Sequence, residues 1–84
     1  MKEKNTNEIN DKNEVKIQSI NNRFEKNILL FLKQNGKSIY GEIFKELKIS
    51  GRRGQEAIFS LLNKGLVKHP NKSSHIELNV DLKA

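Results

Sequence analysis

Between Arg23 and Gly65 apolar side chains recur every three or four positions in three short blocks, and after Gly65 they alternate in two shorter ones. This change of period constrains the fold more than any other feature, because a period near 3.6 belongs to amphipathic helices and a period of two to half-buried strands. Phe24, Ile28, Leu29, Phe31 and Leu32 mark a first helix that Asn35-Gly36 stops. Ile39, Ile43, Phe44 and Leu47 mark a second over residues 40–48, opened by Tyr40-Gly41. Ser50, a good N-cap, introduces a third from Gly51 to Lys64, with Gly54, Ala57, Ile58, Leu61 and Leu62 on one side. Small residues at 54 and 57 allow it to lie close against the second helix, and Gly65 is placed to end it in a left-handed cap. Leu66 to His69 and Ile76 to Val80 then read as two strands around the polar turn Pro70 to Ser74. Three helices followed by a hairpin predict a mainly α fold with a small β-hairpin, the winged helix-turn-helix.

Residues 1–22 differ in kind. Their apolar residues are Met1, Ile9, Val15, Ile17 and Ile20, set among Asn, Lys, Glu and Asp. So little apolar surface does not offset the entropy of ordering, which predicts a disordered polar tail over 1–22 and a folded domain over 23–84. The alternation from Val15 to Ile20 marks a stretch able to order against a partner. The tail also carries no net charge: Lys2, Lys4, Lys12 and Lys16 balance Glu3, Glu8, Asp11 and Glu14. The whole formal excess of +6 therefore lies in 23–84, where 12 basic residues face 6 acidic ones. A compact basic domain attracts polyanions, nucleic acid above all, although a lysine-rich solvated surface without a partner has the same composition.

Several function classes are excluded or disfavoured. The chain has no cysteine, which removes disulfides, thiolate metal sites and cysteine nucleophiles. His69 and His75 have no local carboxylate cluster beside them, so no metal is expected, and nothing calls for a cofactor. There is no nucleophile–base pair and no set of paired carboxylates in an apolar setting. Gly51-Arg52-Arg53-Gly54 lacks the Lys-Ser/Thr that completes a phosphate loop. The reading is a binding protein, not an enzyme, with no small-molecule substrate. The longest apolar run, Ile28 to Leu32, is too short to cross a bilayer, and no signal peptide is recognisable, so a cytoplasmic location is expected.

The third helix is the natural reading head. Arg52 and Arg53 stand in its first turn, where backbone amides also favour an anion, and Gln55 follows. Lys45 and Lys48 support them from the second helix, while Glu56 opposes phosphate or holds one of the arginines. On the hairpin, Lys68 and Lys72 with Ser73 and Ser74 suit a backbone contact. Phe59 is expected to pack at the rim against the hairpin in preference to stacking on a base. No heptads and no C-terminal helix are present to make a dimer, and a DNA regulator reading two half-sites ordinarily needs one.

From Ile39 through Lys68 the residues resemble the winged-helix core of small-subunit ribosomal protein S twenty-five, of the eukaryotic and archaeal type. Leu47-Lys-Ile-Ser-Gly51 is similar to that family's Leu-basic-Ile-Asn-Gly turn, followed at the same spacing by Ala57-Ile58, Leu61 and Gly65-Leu66-Val67-Lys68. Ile20-Asn21-Asn22 resembles the Leu-Asn-Asn ahead of the family's first helix. The family's Ser-Leu-Ala is here Arg52-Arg53-Gly54, and its lysine-rich tail with a tryptophan is here neutral and without one. The resemblance implies a structural component of the small ribosomal subunit, in contact with rRNA and neighbouring ribosomal proteins. On matching positions, Lys48, Gly51, Arg52, Arg53 and Lys68 would face the rRNA. A DNA-binding regulator acting on double-stranded DNA and a winged helix used for protein–protein contact are the other two readings, and fold alone does not separate them.

Overall fold

The computed structural model describes residues 14–83, apart from the side chain of Lys72. The expectation of disorder for residues 1–13 lies outside the described residues. The elements are β1 (Glu14–Lys16), a 3-10 turn (Ile17–Ser19), α1 (Arg23–Asn35), β2 (Ser38–Ile39), α2 (Tyr40–Leu47) and α3 (Gly51–Asn63). They continue with β3 (Val67–Lys68), a second 3-10 turn (Pro70–Lys72), β4 (His75–Leu78) and β5 (Asp81–Lys83). The protein is thus mainly helical with a small antiparallel sheet in the order β2-β4-β3.

Local chemistry sets the helix ends. The Asn22 side chain accepts hydrogen bonds from the amides of Phe24 (2.8 Å) and Glu25 (3.1 Å), which serves two of the four donors a helix start leaves unpaired. Gly36, at φ 76°, ends α1 and sends its N–H back to Leu32 O. α2 ends instead on Lys48 in the left-handed region (φ 56°, ψ 45°), a conformation that costs a non-glycine residue roughly 1–2 kcal/mol. α3 closes in a Schellman motif: Gly65, at φ 75°, donates to Leu62 O and Leu66 donates to Leu61 O.

The core lies where the three helices meet the middle strand of the sheet. Ile28 and Leu29 of α1, Ile43 of α2, Ile58 and Leu61 of α3 and Ile76 of β4 are fully buried. Burial of each contributes about 1.5–3 kcal/mol relative to exposure. α3 approaches α2 through Gly54, whose missing side chain makes room for the Phe44 ring. Two buried polar groups are satisfied: Ser38 Oγ donates to Gly36 O, and Glu25 pairs with Lys64 Nζ at 2.7 Å.

Three expectations change. The N-terminal boundary at residue 23 moves outward, because β1 pairs in parallel with β5 (Val15 opposite Leu82) and Ile20 is buried in the core. Ile39, grouped on sequence with the apolar side chains of the second helix, is not buried with them. It belongs to β2, pairs with His75 and is exposed. Phe59 does not pack away at a rim but stays 55% exposed, since its position on α3 lies opposite the buried Gly54, Ala57, Ile58 and Leu61. Among the described residues no helix is long and apolar enough to cross a membrane.

Candidate nucleic-acid interface

The turn between α2 and α3 is three residues long, Lys48, Ile49 and Ser50, and it brings the end of one helix against the start of the next. Ser50 Oγ accepts from the Arg53 amide at 3.3 Å, so one of the donors available to an anion at this helix start is already engaged. Gly51, Arg52, Arg53 and Gln55 are all exposed, as are Lys45 and Lys48 on the preceding helix and turn.

The two arginines diverge. Arg52 reaches along its own helix to Glu56, Nε to Oε2 3.8 Å, with both side chains largely in solvent. An exposed pair one helical turn apart is worth only about 0.2–0.5 kcal/mol and is readily exchanged for a phosphate. Arg53 turns the other way, toward α1, where its guanidinium carbon stands 5.8 Å from the centroid of the Phe24 ring. Arg23, the first residue of α1, lies at 5.8 Å from that same ring. Neither Arg23 nor Phe24 was a candidate binding residue on sequence grounds. Their proximity to Arg53 depends on the first turn of α1 packing along α3, which no local pattern encodes.

The hairpin side is more tightly tied. Lys68 on β3 lies opposite Glu77 on β4, and their charged groups are 3.8 Å apart, so this lysine is partly neutralised. Lys72 belongs to the 3-10 turn at the hairpin tip. His69 fastens that tip: its Nδ1 lies 2.9 Å from His75 O and 3.1 Å from Ser73 O, which places the proton on Nδ1. Its Nε2 then accepts from the Tyr40 hydroxyl at 3.0 Å. Burial of Tyr40 raises its pKa, so the phenol remains the donor through neutral pH. The two histidines are therefore joined through a backbone carbonyl, and no group of three potential metal ligands occurs among the described residues.

The eight residues nominated from sequence thus fall into two sets. Lys45, Lys48, Gly51, Arg52, Arg53 and Gln55 gather around the α2–α3 turn, whereas Lys68 and Lys72 sit on the hairpin. Comparison with protein-family models, with curated proteins and with solved structures finds no match.

Proposed function

We propose that the protein is a winged-helix nucleic-acid-binding module, with α3 as its reading helix and the β3–β4 hairpin as its wing. Its partner in this reading is rRNA, as a structural component of the small ribosomal subunit in the cytoplasm, in a binding and not a catalytic role. The observation that carries it is the exposed Arg52-Arg53 pair in the first turn of α3, directly after a short inter-helix turn, in a domain that holds the whole charge excess. The rRNA form of the reading rests further on the resemblance of Leu47 to Gly51 and Gly65 to Lys68 to the ribosomal family.

The test has two parts. Arg52→Ala with Arg53→Ala should weaken RNA binding and flatten its salt dependence by about 0.9 in the log–log slope for each phosphate left without its cation. Undiminished affinity in the double variant would remove α3 from the interface. Sedimentation of a native lysate addresses the particle: co-migration with small ribosomal subunits through high salt supports the ribosomal assignment. A position at the top of the gradient, with duplex DNA bound in preference to RNA, transfers the protein to the DNA-regulator class.

A further inference from the structure

We propose that Arg23 and Arg53, held on the Phe24 ring, form a phosphate clamp that carries the nucleic-acid surface from α3 onto α1. The inference rests on the nucleic-acid reading above and names the part of the ligand that this region takes, the sugar–phosphate backbone.

The clamp is built by the packing of the first turn of α1 along α3, whose Arg53 meets the Phe24 ring and whose C-cap Lys64 reaches Glu25. Both guanidinium carbons lie 5.8 Å from one ring centroid, so they are separated by no more than twice that, 11.6 Å. Phe24 is half-buried against the core, and its ring gives both cations a face to rest on. Two like charges are thereby brought together, and no carboxylate pairs with either among the described residues. The two nearest in sequence and space are committed elsewhere: Glu25 is buried against Lys64 at 2.7 Å, and Glu56 faces Arg52. The helix-start amides add little, since Asn22 already takes those of Phe24 and Glu25, and Ser50 takes that of Arg53.

What such a pair accommodates is an extended polyanion. A nucleic-acid strand carries a phosphate about every 3.4 Å of helix axis, so an extended strand can offer a phosphate to each arginine. The surface continues along α1, where Lys26 follows one turn after Arg23 and the one acidic residue of the helix, Glu25, points inward. Phe24 is a positioning residue here, and the arginines make the contact.

The experiment uses the full chain and a fluorescein-labelled RNA duplex of about 20 base pairs, with anisotropy followed between about 50 and 200 mM salt. Arg23→Ala should lower the log–log salt slope by about 0.9 and weaken binding roughly eightfold near 0.1 M salt, and adding Arg53→Ala should about double the decrease in slope. Arg23→Lys should retain the slope, which separates charge from packing. Lys83→Ala removes the same unit of net charge from β5, beside the far end of α1 where Lys33 bonds to Leu82 O, and should leave the slope unchanged. Phe24→Tyr, which keeps the ring face, should bind as wild type, whereas Phe24→Leu, which keeps the apolar packing, should bind more weakly. If Arg23→Ala behaves like Lys83→Ala while Arg52→Ala still weakens binding, the clamp is wrong and the α3 reading stands. If the wild type shows no salt-dependent binding to the duplex, the nucleic-acid reading fails and the clamp falls with it.

Discussion

At Gly54 the Phe44 ring of α2 occupies the space that a side chain would need: its Cδ1 and Cζ would stand 2.5 and 2.6 Å from an added Cβ. Gly54→Ala therefore sets two effects against each other. Alanine favours the helix by about 1 kcal/mol over glycine, while overpacking a filled contact costs about 1–3 kcal/mol. At those distances the ring or the helix has to shift, so the expected outcome is a net loss of stability, seen as a lower thermal midpoint. Gly41 makes the contrast. It is exposed in α2 with nothing within 4 Å of a Cβ, so Gly41→Ala should raise stability by about 0.5–1 kcal/mol. A thermal melt in which Gly54→Ala matches or exceeds Gly41→Ala would mean that the Phe44 contact does not hold α2 and α3 at this distance. The need for a small residue at 54 was readable from the helical period. The partner ring was not, because it comes from another element.

On the scale of elements, the helices and the hairpin were legible, and the pairings that join distant parts of the chain were not. α1, α3 and their glycine stops follow from apolar spacing and capping chemistry, both of which are local. The alternation from Val15 to Ile20 was legible, but its place inside the domain was not, because the partner of β1 is β5 at the other end of the chain. Its value is visible only in the product: Ile20 buried, Val15 and Ile17 packed on the core, and Leu82 covered. β2 was missed for a related reason, since Ile39 continues the apolar spacing of α2 by coincidence while its backbone pairs with His75. The consequence is measurable. Deletion of residues 1–20 removes, among the described residues, one buried isoleucine and two partly buried aliphatic side chains and should cost about 2–4 kcal/mol. For a domain of this size each kcal/mol lowers the thermal midpoint by roughly 4–8 °C. A truncated chain that melts with the full one would show that β1 adds no stability and that the domain begins at α1 after all.

For the molecule as a whole, the pattern of ion pairs directs the charge excess. Glu25, Glu77 and Asp81 are each engaged by a lysine, at 2.7, 3.8 and 3.2 Å, and Glu56 by Arg52. Arg23, Lys26, Lys33, Lys37, Lys45, Lys48 and Arg53 have no such partner among the described residues, and they outnumber the exposed Glu42 and Glu46 of α2, which also stand outside these pairs. The overall excess was legible in composition, but which cations stay available is a property of the fold. A surface of unpaired cations on a small core makes stability responsive to ligand. Anything that binds the folded chain and not the unfolded one stabilises it by RT ln(1 + [L]/Kd), about 2.7 kcal/mol at a hundredfold excess over Kd. Duplex RNA at low salt should therefore raise the thermal midpoint by on the order of 10–20 °C, and the gain should fade as salt is added. Inorganic phosphate at the same phosphate concentration should do far less, because separate ions lack the counterion release that a polyanion supplies. Equal shifts from both would reduce the surface to an ordinary anion-binding face, and no shift from either would leave the cations as solvated surface.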